Sequence, residues 1–112
     1  MHPLWQLLVR HYNSHFVVFE FKNYSEKIDQ NLIYITEKYL YDAALRNVAF
    51  VISREGFSDS AKFAAEGCLK EHGKLILDIT QDDLINMLES PDNDPADYIL
   101  AKLEDFLMGI SK

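Results

Sequence analysis

A carboxylate and an ammonium group end the first apolar strand that the sequence predicts, which runs from Phe16 to Lys22. Because side chains alternate along a strand, Glu20 and Lys22 lie on the face that begins with Phe16 and Val18. The two apolar residues indicate a covering layer, which must open where the polar pair follows. A carboxylate is a hard oxygen ligand for Mg²⁺ or Mn²⁺, and a nearby lysine can orient or help deprotonate a metal-bound water that attacks a phosphodiester. An exposed ion pair without a ligand is the alternative.

Arg54 and Ser58 are candidates for binding a phosphate. Arg54 follows a second apolar run, Val48 to Ile52, and Ser58 precedes a helical pattern. An arginine beside the free backbone N–H groups of a helix start can hold a phosphate group. Two alternatives remain open at this point: Arg54 can pair with Glu55 or another acid, and Ser58 can cap the helix without any ligand.

Three segments of the chain carry a family resemblance. They are the run Glu20-Phe21-Lys22-Asn23-Tyr24-Ser25, a helix with Asp29-Gln30, and the strand end Ile52-Ser53-Arg54-Glu55-Gly56-Phe57-Ser58. Residues 16 to 88 thereby resemble the PD-(D/E)xK restriction-endonuclease-like superfamily, in particular its Mrr-like nucleases. The resemblance implies a DNA endonuclease that depends on Mg²⁺ or Mn²⁺. Glu20 matches its second metal-binding acid, Lys22 its catalytic lysine, and Gln30 a glutamine near the site.

The superfamily places a first acid on the strand before its Glu-x-Lys strand, and this sequence departs from that pattern. Residues 1 to 19 contain no Asp and no Glu. We therefore expect one of three situations: the chain is the C-terminal part of a nuclease domain, a partner chain supplies the acid, or the site has decayed. A fold without its first strands exposes a sheet edge, which favours a homodimer or strand exchange.

Composition is that of one globular domain spanning residues 1–112, with 48% hydrophobic residues. The single cysteine, Cys68, excludes an internal disulfide and favours a reducing cytoplasm. No apolar run reaches the length of a membrane span, so we expect no membrane association. The formal net charge of −7 works against nucleic-acid binding, although a local basic patch can still contact DNA. Candidates for such a patch are Lys22, Arg54, Lys62, Lys70 and Lys74.

Alternating strands and helices predict an α/β fold with a mostly parallel central sheet flanked by helices. The resemblance implies a restriction-endonuclease-like core, either complete or truncated. The predicted strands are 16–22, 48–52 and 75–79. The predicted helices are 4–12, 26–45 with Ser25 as N-cap, 59–72 with Ser58 as N-cap and Gly73 at its end, a helix through Leu88 that follows a Thr80/Asp83 capping box, and 95–110. In the long helix, the apolar stripe is Ile28, Leu32, Ile35 and Tyr39. Gln30 lies nearly opposite this stripe, which leaves a surface position as its alternative.

Three functions are compatible with these patterns. The first is a metal-dependent DNA endonuclease. The second is a non-catalytic DNA-binding or structural protein with the same fold. The third is a protein-interaction module that pairs with another chain through the Leu4/Trp5/Leu8 helix or the Ile99/Phe106 helix.

Overall fold

A computed structural model describes residues 1–110 and shows a three-stranded parallel sheet flanked by helices. The strands are β1 (Val17–Lys22), β2 (Val48–Ser53) and β3 (Leu75–Thr80). The helices are α1 (Pro3–Tyr12), α2 (Gln30–Glu37), α3 (Asp59–His72), α4 (Gln81–Leu88) and α5 (Pro95–Met108), with a short 3-10 helix at Asp42–Ala44. The predicted α/β class and parallel sheet are confirmed. This architecture does not by itself identify a restriction-endonuclease-like core, and that assignment stays a prediction.

The strand order is β1-β2-β3, so β2 is central and β1 and β3 form the two edges. The register places Glu20, Val51 and Asp78 in one row across the sheet. All three strands end at the same side of the sheet because they are parallel. Ligands of open parallel sheets bind beyond these carboxyl ends, so this is the side of the fold on which a site is expected.

Two apolar cores cover the two faces of the sheet. On the first face, residues of α2 and α3 pack on Ala49, Val51 and Ile76, and we call it the α2/α3 face. On the second, residues of α1 and α5 pack on the other side of the strands, and we call it the α1/α5 face. Its buried residues are Leu4, Leu8, Val48, Phe50, Leu75, Leu77, Ile79, Ala96 and Leu103. The apolar stripes of α1 and α5 therefore fill a core, and they are largely unavailable as the interaction surface considered above.

The predicted helix from Glu26 to Leu45 is wrong. Helix α2 covers Gln30–Glu37 only, and its N-cap is Asp29 in place of Ser25, with the Asp29 carboxylate accepting a hydrogen bond from the Asn31 N–H. Ile28 is not helical because its backbone forms a parallel bridge with Phe57. That bridge is a contact between segments distant in sequence, and no local pattern signals it.

The buried side of α2 also differs from the predicted stripe. Leu32 is buried as expected, but Ile35 and Tyr39 are about half exposed. Ile33 and Thr36 are buried instead. Ile28 and Tyr39 of the predicted stripe lie outside α2, and the side of the helix that packs in the core with α3 carries Leu32 and Ile33.

The remaining predicted boundaries, including the start of β1 at Val17, agree with the structure to within one or two residues. Phe16 is exposed, so the expectation that a layer covers it is wrong. The Ser58 hydroxyl caps α3 by accepting from the Ala61 N–H, and Gly73 ends α3 with a φ of 66°. The Thr80/Asp83 capping box is present at the start of α4. Among residues 1–110, no helix is both long and apolar enough to cross a membrane.

Candidate functional site

Glu20 and Lys22 form an ion pair at the carboxyl end of the edge strand β1. The Lys22 Nζ lies 2.9 Å from the Glu20 Oε1, and the two side chains retain 29% and 23% of their exposure, respectively. The hydrogen bond to the Glu20 carboxylate, with the attraction between their charges, raises the pKa of Lys22. Lys22 is therefore an ammonium group at neutral pH, suited to donating hydrogen bonds and to attracting an anion rather than to accepting a proton.

Lys22 and Arg54 line one shallow cavity of about 260 Å³ at this end of the sheet. The parallel register explains their proximity, because Lys22 is aligned with Ser53, the residue before Arg54. Apolar and neutral side chains complete the wall: Phe21, Asn23, Ile52, Ser53, Gln81 and Leu84. Two basic residues therefore line one shallow cavity in a chain whose net charge is negative, and Glu20 offsets the charge of one of them, Lys22.

Gln30 and Ser58 do not join this cluster. Gln30 is exposed in the first turn of α2. The Ser58 hydroxyl is already engaged with the Ala61 N–H and lies 3.0 Å from the Ser60 hydroxyl. Neither side chain lines the cavity that holds Lys22 and Arg54. Their proposed roles stay predictions.

The carboxylates near Glu20 do not form a divalent metal site within the described chain. Among residues 1–110 there is no group of three or more His, Cys, Asp or Glu side chains placed to hold a metal ion. Asp78 lies in the same row as Glu20, but two strand spacings, about 10 Å, separate their backbones. Its Oδ2 already accepts a hydrogen bond from the Phe57 N–H at 3.0 Å. One carboxylate paired with a lysine does not meet the needs of Mg²⁺, so the metal requires a further acid.

A second group of polar side chains lies at the end of β3. The sequence predicted only its Thr80/Asp83 capping box. The Asp83 carboxylate accepts hydrogen bonds from the Thr80 N–H at 2.8 Å and from the Tyr98 hydroxyl at 2.7 Å, and it forms an ion pair with Lys102. Burial works to raise the pKa of Asp83, but the hydrogen bonds from Lys102, Thr80 and Tyr98 outweigh it and lower the pKa. Tyr98 and Lys102 come from α5, so no local spacing predicts them.

Asp78 is held between β3 and the loop that follows β2. Its Oδ1 is buried and has no hydrogen-bond partner, and burial raises the pKa of its carboxyl group. Gly56 has a φ of 78°, and a Cβ there would lie 2.9 Å from Thr80 Cγ2 and 3.0 Å from Asp78 Oδ2. Strand alternation could have signalled an inward-facing Asp78, because it shares a face with the buried Ile76.

Cys68 is buried among the small residues of α3. Burial, with a smaller effect of Glu37, raises the pKa of its thiol to about 12. The thiol is therefore protonated at neutral pH and is a poor nucleophile.

Comparison of the chain with protein-family models, with curated proteins and with solved structures finds no match. The resemblance to PD-(D/E)xK nucleases consequently stays a prediction that rests on the residues quoted above.

Proposed function

We propose that this chain provides the Glu-x-Lys part of a Mg²⁺- or Mn²⁺-dependent DNA endonuclease site of the PD-(D/E)xK type. The supporting observation is that Glu20 pairs with Lys22 at the carboxyl end of a parallel sheet, where Lys22 and Arg54 also line one cavity. This is where the ligands of open parallel sheets bind. A phosphodiester bound at this end of the sheet would require both positive charge and a metal-binding acid.

Each of the three residues has a separate role in the proposal. Arg54 and Lys22 attract and orient a phosphate, with Arg54 able to donate two parallel hydrogen bonds. Glu20 contributes one oxygen ligand to the metal ion, which when bound would supply Lewis-acid chemistry. If Glu20 binds the metal ion in place of Lys22, the Lys22 ammonium would also be released to contact the substrate. The proposed catalytic role of Gln30 and the proposed phosphate contact of Ser58 are retained as secondary hypotheses, as is a cytoplasmic location.

The proposal requires a second carboxylate, from another segment or from a partner chain. It also requires DNA binding by a chain with a formal net charge of −7. With Lys22 and Arg54 as the contacts, we expect weak binding that depends modestly on salt, with a slope of log affinity against log salt of about −2. A much steeper slope would point to a different and larger basic surface.

Plasmid cleavage in Mg²⁺ and in Mn²⁺ tests the proposal. Glu20→Gln and Lys22→Ala should each lower the cleavage rate by about 10²–10⁴-fold, the range for loss of one catalytic group. The matched controls are Glu104→Gln and Lys38→Ala, which remove the same charges from exposed positions, one in α5 and the other at the C-cap of α2. The proposal fails if the wild-type protein does not cut, or if cutting persists in both site variants.

A specific observation favours a protein-interaction module as the second candidate. Phe19 and Phe21 are 53% and 69% exposed on the α1/α5 face of β1, where neither helix covers them. Large exposed aromatic side chains beside a sheet edge are typical of a surface that another chain covers. Such a module would need neither metal nor DNA, so cleavage assays and association measurements separate the two candidates.

A further inference from the structure

Strand β1 presents an edge that no other strand occupies. It pairs with β2 on one side, and within residues 1–110 no backbone hydrogen bond fills its other side. The strand contains no proline and no glycine. Natural proteins protect such edges with prolines, bulges or charges, and here Lys22 and Glu20 are the charges on the strand. An unpaired edge without proline or glycine is a template for a further strand.

The charges of β1 are complementary to those of a second, antiparallel copy of the same strand. When Phe21 faces the partner's Phe21 across a two-fold axis, Glu20 lies opposite the partner's Lys22, and Lys22 lies opposite the partner's Glu20. Directly opposed charges of opposite sign stabilise a strand pair, whereas like charges destabilise it.

Other registers lose this complementarity. A shift in one direction places Glu20 opposite the partner's Glu20, and a shift in the other places Lys22 opposite the partner's Lys22. The sequence of β1 thus selects one register for self-pairing. A two-fold symmetric contact in which the same patch meets itself is also the commonest interface of homo-oligomers.

The exposed aromatic residues add an apolar contribution to the same pairing. The rings of Phe19 and Phe21 stack with their centroids 6.5 Å apart, and Phe19 also contacts the buried Phe50 edge-on at 5.4 Å. In the selected register, Phe21 meets the partner's Phe21 on this face, so two exposed rings per copy lose solvent contact together. One strand pair and four rings bury less than a standard interface, so the dimer should be weak and concentration-dependent.

We infer that a second copy of this chain pairs antiparallel with β1, with Phe21 on the two-fold axis and Glu20 opposite the partner's Lys22. Glu20 and the partner's Glu20 are then diagonal neighbours, about 7–8 Å apart, within reach of each other's long side chains. The second copy would supply the carboxylate that one chain lacks. This last consequence rests on the proposed nuclease function, whereas the pairing itself does not.

Sedimentation equilibrium without metal or DNA tests the pairing with charge variants. In the inferred dimer, position 20 of each copy lies opposite position 22 of the other. Glu20→Lys and Lys22→Glu each place like charges at both of these contacts. Each single variant should therefore be monomeric at concentrations where the wild-type protein is dimeric. The double variant restores opposite charges and should dimerise. An equimolar mixture of the two single variants should also associate, because lysines then face glutamates. The mixture is decisive because neither variant regains its own internal Glu20–Lys22 pair.

A disulfide test fixes the register. Phe21→Cys should link two copies on oxidation, because the two-fold axis brings this position against itself, while Phe19→Cys should not, because its partner position lies several residues away. The native Cys68 is buried and serves as the unlinked background.

A monomeric wild-type protein, a dimer insensitive to the charge variants, or cross-linking at Phe19→Cys and not at Phe21→Cys would overturn the inference. The double charge variant should dimerise without cutting DNA, because it retains opposite charges across the pair but lacks the Glu20 ligand. In the wild-type protein, dimerisation without cleavage would contradict the nuclease proposal and leave the pairing intact.

Discussion

Both edge strands of the sheet end beside a carboxylate paired with a lysine, yet the two ends differ in everything around that pair. At the end of β3, Asp83 is buried and accepts hydrogen bonds from Thr80 and Tyr98 in addition to its ion pair with Lys102. At the end of β1, Glu20 has Lys22 as its one hydrogen-bond or ion-pair partner among residues 1–110. A fully bonded buried carboxylate stabilises a fold, whereas a partly exposed one with spare acceptor capacity can bind a ligand.

The elements that follow each strand cause this difference. β3 leads directly into α4 through a capping box, and α5 returns to place Tyr98 and Lys102 against it. The loop at Gly56 closes the same end from the side of β2. β1 leads into an irregular, exposed segment at 23–27, and α2 begins only at Gln30. The same type of ion pair is therefore structural at one edge and accessible at the other.

The strongest test of the structural end is Asp83→Ala. The substitution removes the capping box and leaves the Tyr98 hydroxyl and the Lys102 ammonium without their acceptor, so we expect a loss of about 3 kcal/mol in the free energy of unfolding. Urea denaturation measures it. Asp82→Ala is the matched control, because it removes an exposed acid from the same turn of α4. Equal effects of the two substitutions would contradict a structural role for the network.

Gly56→Ala tests whether the loop closes the β3 end tightly. Its φ of 78° disfavours any side chain, and the new methyl group would meet Thr80 and Asp78 at about 3 Å. We expect a loss of about 2 kcal/mol in the free energy of unfolding. Gly67→Ala is a control of opposite sign, because that position in α3 has open space around it and should gain about 0.5–1 kcal/mol. A neutral Gly56→Ala would show that the loop yields easily.

The pH dependence of stability should distinguish the two acids at the β3 end. Because the pKa of Asp83 is lowered in the folded state, its ionised carboxylate adds to the free energy of unfolding at neutral pH, and this contribution is lost on acidification. Asp83→Asn should therefore reduce the loss of stability on the acid side of the profile. The folded pKa of Asp78 is raised, so its contribution has the opposite sign, present in acid and lost as pH rises through its folded pKa. Asp78→Asn should steepen the acid loss. The contribution of Asp83 is lost below the ordinary carboxyl range, whereas that of Asp78 changes above it. Chemical denaturation from neutral pH down to below the ordinary carboxyl range therefore measures both slopes, and slopes changing in the same direction would contradict this assignment.

Glu20→Gln should have the smallest effect on stability. The Glu20 carboxylate is partly exposed and supports no helix cap or buried partner. The thermal unfolding midpoint of the Glu20→Gln variant should therefore equal that of the wild-type protein within about 2 °C. Differential scanning calorimetry at low protein concentration, where self-association is absent, makes the measurement. A clear destabilisation would show that the β1 pair is structural as well, and the contrast between the two edges would disappear.

Local sequence patterns predicted the parts of this fold that local interactions determine. The three strands follow from their apolar runs, α3 from its Ser58 cap and Gly73, and the start of α4 from the spacing of Thr80 and Asp83. Alternation correctly placed Glu20 and Lys22 on one face. The length of α2 was wrong because Ile28 is held extended by pairing with Phe57, a contact across the chain.

The same reasoning explains what was predicted of the candidate site. Glu20, Lys22 and Arg54 were predicted at one end of the sheet because parallel strands end together, and the shared cavity of Lys22 and Arg54 agrees. The chain supplied no signal for the bonds that α5 makes to Asp83, since Tyr98 and Lys102 are ordinary residues of an amphipathic helix. Exposure of Phe19 and Phe21 was also not foreseen, because alternation specifies a face but not whether a helix covers it.

Titration of Mn²⁺ by isothermal calorimetry, at concentrations where two copies pair, tests most directly whether the β1 end is the ligand-binding end. The variants to compare are Glu20→Gln and Asp83→Asn, each verified as folded by circular dichroism. We predict that Mn²⁺ binding is lost in Glu20→Gln and retained in Asp83→Asn. Binding that survives in Glu20→Gln, or that disappears in a folded Asp83→Asn, would contradict the distinction between an accessible and a structural edge.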